Sequence, residues 1–236
     1  MKPEHIGTPS LDDARPKKIV LLGVTGGIGA AMAGILVERG HNVVGFSRQT
    51  TPALFLESEP SIAAVAEAAG TDIDWLINAT GVLFNHPGLP EKTIKGVQAD
   101  AMLSQFLVNA VGPALILKHF SSRMRGGSLS VMASFSARVS SIGDNRLGGW
   151  YSYRASKAAL NQIIKTTSIE LRRTNPDVIC VALHPGTVAT RLSAPFSAPN
   201  ARPAKEAAAD LIAVMEGLTK ENSGQLLDYQ GRLIEW

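Results

Sequence analysis

Residues 17–46 read KKIVLLGVTGGIGAAMAGILVERGHNVVGF, and this stretch decides the fold. Its apolar start, residues 17–22, predicts a β-strand. The small residues from Ala30 to about Arg39 predict a helix, which ends at Gly40 because glycine is common just past a helix C terminus. A second strand is predicted from about His41 to Phe46. Parallel strands joined by a helix are typical of a doubly wound, Rossmann-type α/β sheet with helices on both faces.

The turn between this strand and helix predicts a phosphate-binding site. Its candidate cofactor-binding residues are Gly23, Thr25, Gly27, Ile28 and Gly29. Because glycine has no Cβ, the backbone there can approach a pyrophosphate, and the helix N terminus offers free N–H groups and a positive dipole end. The spacing is G-x-x-x-G-x-G rather than G-x-G-x-x-G. A glycine turn alone is a weak signal, but between a strand and a helix it indicates a dinucleotide site.

The second strand ends at Ser47 and Arg48, which predict the choice of cofactor. An acidic residue near this point would bind the ribose 2′-hydroxyl of NAD, whereas an arginine accommodates the 2′-phosphate of NADP. We therefore expect NADP(H), with NAD(H) less favoured. The alternative is that Arg48 is a solvated loop residue, but the fork geometry of its guanidinium suits a phosphate.

Length and composition indicate one globular domain. The chain has 236 residues, of which 45% are apolar and 18% charged. We expect a flexible polar tail over residues 1–16, without a signal peptide, and a single dinucleotide-binding domain over residues 17–236. Residues 19–37 carry no charge and are long enough for a membrane span, but their five glycines fit a strand, a turn and a helix better.

Charge and cysteine content argue against several other classes of protein. The net charge is +3, and the basic residues are scattered rather than arranged in a stripe, so nucleic-acid binding is not expected. The five histidines lack ligand spacing, so no metal site is expected. The one cysteine, Cys180, lies in an apolar run and permits no disulfide within the chain, which suits the cytoplasm.

The rest of the chain continues the alternation of strands and helices. Strands are predicted at 53–56, 75–77, 129–135, 177–183 and 225–227, and helices at 61–69 after Pro60, 100–124, 153–173 and 204–219. Within the long helix, Asn109 followed by Gly112-Pro113 predicts a kink. The proline-rich segment 191–203 is predicted to be a mobile lid, and together with the loop 84–98 it would shape a substrate pocket.

Tyr153 and Lys157 are the candidate catalytic pair. They lie four residues apart in the run YRASK (153–157), and on a helix such residues share a face. A free tyrosine has a pKa of about 10, and a neighbouring ammonium favours the phenolate and is expected to lower that pKa. The pair would serve as a general acid/base for a hydroxyl or carbonyl oxygen. Taken alone, the pair favours an ordinary surface helix, because a tyrosine and a lysine four residues apart often arise by chance.

These motifs, in this order, resemble the short-chain dehydrogenase/reductase family, and in particular its C-factor-like and sniffer-like carbonyl reductase branch. The resemblance covers roughly residues 17–236 and is carried by NATGVL (78–83), SIGDN (141–145), GGWYSYRASK (148–157) and the ending from Leu227 to Trp236. Leu22, Ala79 and Thr80 depart from the usual motifs. The resemblance implies cofactor contacts from Asn78, Ala79, Gly81, Pro185, Gly186, Thr187, Val188 and Thr190, and from Tyr153 and Lys157. It also implies that Asn109 supports a water and Lys157 in a proton relay.

The catalytic serine that the resemblance implies is the least defined residue. The family usually has two adjacent serines, of which the second is catalytic. One alignment places Ser136-Ala137 in that slot, so that the strict position is Ala137, and another makes Ser134 the second serine. We take Ser136 as the working hydroxyl, with Ser134 and Ser141 as substitutes. The alternative is that Ser136 caps a loop, because serine commonly bonds nearby backbone.

The resemblance implies an NADP-dependent oxidoreductase that transfers hydride between NADPH and a small carbonyl or alcohol substrate, with Tyr153 as general acid/base. Phe135, Trp150 and Phe196 could make its pocket apolar or could belong to the core. The alternative is a dinucleotide-binding, C-factor-like signalling or regulatory protein with weak or no turnover. Homodimer, homotetramer and monomer all stay open.

Overall fold

The computed structural model describes residues 15–83, 89–194 and 200–236, which form an α/β sandwich of three layers. Its centre is a six-stranded parallel sheet in the order β2-β1-β3-β4-β5-β6. The strands are β1 (Lys18–Leu22), β2 (Asn42–Phe46), β3 (Trp75–Asn78), β4 (Ser130–Phe135), β5 (Val178–His184) and β6 (Leu226–Asp228). The predicted doubly wound fold is confirmed.

Helices cover both faces of this sheet. They are α1 (Gly27–Glu38), α2 (Glu59–Ala69), α3 (Ala99–Phe106), α4 (Gly112–Phe120), α5 (Tyr151–Thr174) and α6 (Ala204–Glu216). The first helix begins three residues earlier than the sequence predicts, at Gly27 instead of Ala30. The N terminus of α2 is capped by Ser58, whose hydroxyl accepts from the Ser61 N–H, and this is a favoured N-cap arrangement.

The core follows from the two-residue period of the strands. Val20 and Leu22 of β1 pack with α2, α4 and α5 on one face, whereas Ile19 and Leu21 pack with α1 and α6 on the other. All four side chains are fully buried. Strands that are apolar on both faces are typical of a parallel sheet covered on both sides.

A π-helical turn at Leu107–Val111 joins α3 to α4 and explains the predicted kink. Pro113 has no N–H, so it cannot donate to the carbonyl of Asn109 four residues earlier, and it disfavours a regular α-helix at this point. One extra residue in the turn absorbs the mismatch. The wider turn places Asn109 in the interior, where its side chain is 0% exposed.

The prediction of a strand at residues 53–56 is wrong. These residues form a loop, and their backbone groups bond to nearby residues rather than to a neighbouring strand. The Leu54 N–H donates to the Ser47 carbonyl, while the Ser61 hydroxyl bonds the Ala53 carbonyl and accepts from the Phe55 N–H. Leu54 and Leu56 are buried all the same, so their apolar character reflects packing and not a place in the sheet.

Several expectations fall on residues outside the described ranges. These are residues 1–14 of the predicted tail, the start of the loop 84–98, and residues 195–199 of the predicted lid, including Phe196. At the edge of the tail, Arg15 pairs with the buried Asp74 carboxylate. At the end of the predicted lid, Arg202 forms a parallel bridge with Val188.

Residues Ala99–Arg123 are long and apolar enough to cross a membrane by length and composition alone. They include the π turn, and their inner face packs within the larger core cluster through Val108, Ile116, Leu117 and Phe120. We interpret them as a core helix. Residues 19–37, the other apolar stretch, form β1, the glycine turn and most of α1.

Candidate active site

The site lies where the strand order reverses direction. The chain passes from β1 to β2 on one side and then returns to β3 on the other side of β1. In such sheets a crevice opens beyond the carboxyl ends of the two strands that flank the reversal. Here those ends lead into Gly23 and Ala79, which are close together: a Cβ added at Gly23 would lie 3.1 Å from the Ala79 carbonyl.

The glycine turn at this crevice has no room for side chains. Gly23 has φ +90°, a conformation that favours glycine. A Cβ on Gly29 would overlap the Gly23 carbonyl oxygen, and a Cβ on Gly27 would lie 2.7 Å from the Thr190 side chain. No side chain caps the N terminus of α1. This cradle therefore fits the pyrophosphate of a dinucleotide. The other two predicted contacts also lie in the turn, Thr25 exposed and Ile28 half-buried.

Ser47 and Arg48 follow β2 at the outer end of the crevice. Ser47 is 5% exposed, and its hydroxyl accepts from the Gln49 N–H, which shapes the turn. Arg48 is exposed. Its guanidinium is therefore accessible to a phosphate at the end of the crevice.

Residues 78–82 and Asn109 form the floor of the crevice. Asn78 is buried, and its Oδ1 accepts from the Thr80 N–H and hydroxyl. The Asn109 side chain holds Val82 by a pair of hydrogen bonds, accepting from its N–H at 2.9 Å and donating to its carbonyl at 2.8 Å. Gly81 has to be small, because a Cβ there would lie 3.2 Å from both Asn109 Oδ1 and Lys157 Nζ.

Helix α5 carries Tyr153 and Lys157 into the same region. Their exposed fractions are 8% and 4%, and the ammonium of Lys157 donates to the Phe135 carbonyl at 2.8 Å. Asn109 is tied to this helix as well, since its Nδ2 donates to the Ser156 hydroxyl at 3.2 Å. Lys157, Asn109 and Gly81 thus meet at the carboxyl edge of the sheet, and Tyr153, one turn earlier on α5, packs with Leu83.

The electrostatics of the pair differ from the expectation. Burial raises the pKa of Tyr153 to about 12 and lowers the pKa of Lys157 to about 8. The net shift of the Tyr153 pKa is therefore upward and not downward as expected. Removal from water penalises both charged forms, and the ammonium is bonded to the Phe135 carbonyl. Tyr153 therefore holds its proton at neutral pH.

The Ser136 hydroxyl is engaged by neighbours other than Tyr153. Its hydroxyl donates to Asn161 Oδ1 at 2.6 Å and lies 3.4 Å from the Ser140 hydroxyl. Ala137 instead shares a small apolar cluster with Tyr153 and Leu83. Of the substitutes, Ser134 is buried in β4 and Ser141 accepts from the Asp144 N–H.

The segment after β5 closes the crevice from the other side. Gly186 has φ +78°, and a Cβ there would lie 3.1 Å from the Tyr229 ring. Val188 is buried, Thr187 is exposed and Thr190 contacts the glycine turn. The Arg202 guanidinium lies 4.1 Å from the centre of the Tyr229 ring. We did not anticipate this cation–π contact from the sequence, because its two residues are joined only by the fold.

The described ranges contain no group of three His, Cys, Asp or Glu side chains that could hold a metal ion. Of the predicted pocket aromatics, Phe135 is 7% exposed and packs in the core on the α1/α6 face, whereas Trp150 stands edge-on to Tyr153, with ring centroids 6.1 Å apart. Trp150 is thus the described aromatic beside the candidate proton donor.

The glycine cradle at the strand reversal and the residues gathered beside it define a dinucleotide-binding α/β protein. The chain belongs to the short chain dehydrogenase family, whose family model matches residues 56–201. It is therefore an oxidoreductase of that family, and the resemblance stated from its motifs is confirmed.

Two curated relatives have names that bear on function. The C-signal protein of Myxococcus xanthus is 34% identical over 164 residues, which cover 70% of this chain and 93% of the relative. The 1-hydroxy-2-glutathionyl-2-methyl-3-butene dehydrogenase of Rhodococcus sp. (strain AD45) is 32% identical over 212 residues, covering 89% of this chain and 84% of the relative.

Among solved structures, a short-chain dehydrogenase/reductase from Burkholderia multivorans with bound NADP superposes with a TM-score of 0.77 at 27% identity. The alignment covers 94% of this chain and all of that one. The glycine cradle of this chain is thus embedded in the same fold as an NADP-bound relative.

Proposed function

We propose that this protein is an NADP(H)-dependent reductase that converts a carbonyl group to an alcohol, with Tyr153 as the proton donor. The observation that carries this proposal is the buried pair Tyr153 and Lys157 on one helix, with Lys157 beside Asn109 and Gly81 near the glycine cradle. A cytoplasmic location suits the proposal, since the single cysteine, Cys180, is buried and free.

The cofactor assignment rests on fit and charge. The turn from Gly23 to Gly29 would hold the pyrophosphate against the N terminus of α1, with Thr190 beside it. Asn78, Ala79 and Gly81 would line the middle of the site, and Pro185, Gly186, Thr187 and Val188 its nicotinamide end. The exposed Arg48 guanidinium would pair with the 2′-phosphate, and the NADP-bound Burkholderia relative supports that choice.

When bound, NADPH supplies the hydride for the carbonyl carbon. The chain supplies the proton: Tyr153 is protonated at neutral pH and gives its proton to the substrate oxygen as negative charge develops there. Lys157 then stabilises the phenolate that Tyr153 leaves behind. Asn109 fixes the position of Val82 and holds the π turn against α5, and we propose that it also supports a water in the proton relay to Lys157.

The serine assignment changes in the light of the contacts. Ser136 is committed to Asn161, one turn along α5 from Lys157, so we assign it a supporting role at the base of the site. The position beside Tyr153 is Ala137, which has no hydroxyl. Tyr153 would therefore stabilise the developing oxyanion with less help than a site with a second donor provides.

The signalling alternative is not favoured. Tyr153 and Lys157 could also contact a bound dinucleotide, but a protein that only binds it has no need of a proton donor beside the cradle. Burying Lys157 destabilises the fold, because taking an ammonium out of water is unfavourable, and its retention at this position supports a role in the reaction.

The test is NADPH oxidation, followed by absorbance, against a panel of aldehydes, diketones and quinones with NADH in parallel. We expect turnover with NADPH in preference to NADH. Turnover that prefers NADH would retain the reductase and overturn the role of Arg48. Tight NADPH binding without turnover on any carbonyl would overturn the reductase and restore the signalling alternative.

A further inference from the structure

The turn that precedes α5 is strained. Gly148, Gly149 and Trp150 have φ values of +63°, +66° and +54°, so three successive residues have left-handed backbone. Glycine adopts this conformation readily, but a large side chain does so at a cost in free energy. A bulky residue persists in such a conformation only when its surroundings hold it there, and such strain is common at functional sites.

Glu91 is the residue that holds this turn from across the chain. Its main-chain oxygen accepts from the Trp150 N–H at 2.5 Å. Its carboxylate accepts from the Ser152 hydroxyl and, at 3.4 Å, from the Ser152 N–H. Ser152 is 0% exposed and Glu91 is half-buried, so these bonds are partly shielded from water. Gly149 is pressed against the same segment, since a Cβ there would lie 3.4 Å from the Glu91 oxygen.

The carboxylate also supplies a charge that α5 lacks. The first turn of this helix contains no acidic residue, and its N-cap, Trp150, makes no side-chain cap bond. A negative charge at a helix N terminus is stabilising because it meets the positive end of the dipole and free N–H groups. Glu91, which is 61 residues away from Ser152 in sequence, takes the place of the missing local cap.

The left-handed turn positions the Trp150 ring, which lies beside the candidate proton donor Tyr153. The Trp150 ring stands edge-on to Tyr153 and packs on the cluster of Leu83, Ala137 and Tyr153. On the opposite side, Arg154 braces the turn by donating to the Gly149 carbonyl at 3.0 Å and to the Val139 carbonyl at 2.9 Å. The turn is therefore held from two sides, by Glu91 and by Arg154.

We infer that Glu91 is a positioning residue for Tyr153: by holding the left-handed turn and the first turn of α5, it keeps Trp150 against the tyrosine and fixes where the phenol lies. The inference rests on the proposed role of Tyr153 as proton donor. The bonds of Glu91 also join the segment that contains it to the catalytic helix.

The test compares Glu91→Ala and Glu91→Gln with a matched control, Glu67→Ala. Glu67 also forms an ion pair, with Arg123 at 2.7 Å, but its side chain is 81% exposed and it lies on α2. Two quantities are measured for each variant: kcat and KM for NADPH in carbonyl reduction, and amide hydrogen exchange of residues 150–154. Exchange does not depend on turnover.

We expect Glu91→Ala to lower kcat by about tenfold or more, since small displacements of a catalytic group are costly, with KM for NADPH within about twofold of wild type. Exchange at 150–154 should be faster than in the control. Glu91→Gln retains one side-chain oxygen that can accept from the Ser152 hydroxyl, but it loses the second acceptor and the charge, so its loss of activity should be smaller than that of Glu91→Ala. Glu67→Ala should resemble wild type in both measurements.

Unchanged kcat in Glu91→Ala, or unchanged exchange at residues 150–154, would overturn the inference. The inference would also be overturned if KM for NADPH rose in Glu91→Ala by as large a factor as kcat fell, because that would indicate general damage to the crevice. If the wild-type protein reduces no carbonyl, the proposed function fails separately. Faster exchange in Glu91→Ala alone would then still support the hold on the turn, and unchanged exchange would refute it.

Discussion

The Ser136 hydroxyl donates a 2.6 Å hydrogen bond to Asn161 Oδ1, and Asn161 in turn donates to the Ser140 hydroxyl. These three residues are buried. They connect the end of β4 to α5 one turn beyond Lys157, so they help to hold the catalytic helix against the sheet. The residue that shares the apolar cluster with Tyr153 is the next one along the chain, Ala137.

We therefore predict that Ala137→Ser raises kcat for carbonyl reduction by about tenfold. The new hydroxyl would add a donor near the oxygen that gains negative charge, and such donors are worth large factors in rate. Steady-state kinetics with one ketone would measure the change. An unchanged or lower kcat would show that the added hydroxyl does not reach the substrate oxygen.

Ser136→Ala is the complementary change. It leaves Asn161 Oδ1 buried without its donor, so we expect a loss of about 1–2 kcal/mol in the free energy of unfolding and less than about a tenfold fall in kcat. Urea unfolding and the same assay measure both. A fall of about a hundredfold or more, as when an oxyanion donor is removed, would make Ser136 the working hydroxyl after all.

Tyr153→Phe removes the proton donor and nothing else. We expect NADPH to bind as in wild type while kcat falls by about 10² to 10⁴, the usual contribution of a general acid. Titration calorimetry with NADPH and the reductase assay separate the two effects. A variant that retains full turnover would exclude Tyr153 as the donor.

The glycine cradle can be tested with a matched pair on one helix. In Gly29→Ala, the new Cβ would overlap the Gly23 carbonyl oxygen, which is backbone and cannot move aside cheaply. We expect a loss of about 1–3 kcal/mol in stability and weaker NADPH binding. Gly34→Ala has nothing within 4 Å of its new Cβ and should be neutral or stabilising by up to about 1 kcal/mol. Equal stability and equal NADPH binding in Gly29→Ala and Gly34→Ala would contradict the close packing of the glycine turn.

Arg48→Ala should change which cofactor is used without affecting stability. Arg48 is exposed, so its loss removes little packing. If it reads the 2′-phosphate, the preference in kcat/KM for NADPH over NADH should fall by about tenfold or more, the loss of one charge-assisted contact. The ratio, measured with one substrate, should be compared with that of Lys17→Ala as a basic-residue control. If Arg48→Ala and Lys17→Ala showed the same NADPH/NADH ratio of kcat/KM, Arg48 would not be a cofactor-binding residue.

His184 makes stability depend on pH. Burial, and then the nearby Arg138 charge, lower the pKa of His184 to about 4, while Asp228 acts in the opposite direction. Between pH 6.5 and 4 the unfolded chain therefore binds a proton that the folded protein does not. Stability contributed by neutral His184 is complete above pH 6.5 and is lost as the pH falls toward 4, by at most about 3 kcal/mol. Urea unfolding at pH 7 and 4.5 should show this loss in wild type and a smaller one in His184→Gln.

Local patterns were enough to predict most of the fold. Apolar runs predicted the strands, because a strand buried on both faces has to be apolar throughout. The same signal wrongly predicted a strand at residues 53–56. The loop at residues 53–56 is as apolar as a strand, but its backbone bonds to Ser47 and Ser61. No local signal in the sequence distinguishes this loop from a strand. The kink near Asn109 was visible in the sequence because a proline cannot continue a regular helix.

The sequence by itself determined the α/β class, the glycine turn after β1, and the shared face of Tyr153 and Lys157. Each of these depends on residues within a few positions of one another, and the spacing alone encodes them. Only the tertiary structure decided that the Ser136 hydroxyl bonds to Asn161, that burial raises the pKa of Tyr153, and that Glu91 caps α5. These features depend on how distant segments pack, and both the loss of water around a group and a contact across 61 residues arise only when the chain has folded.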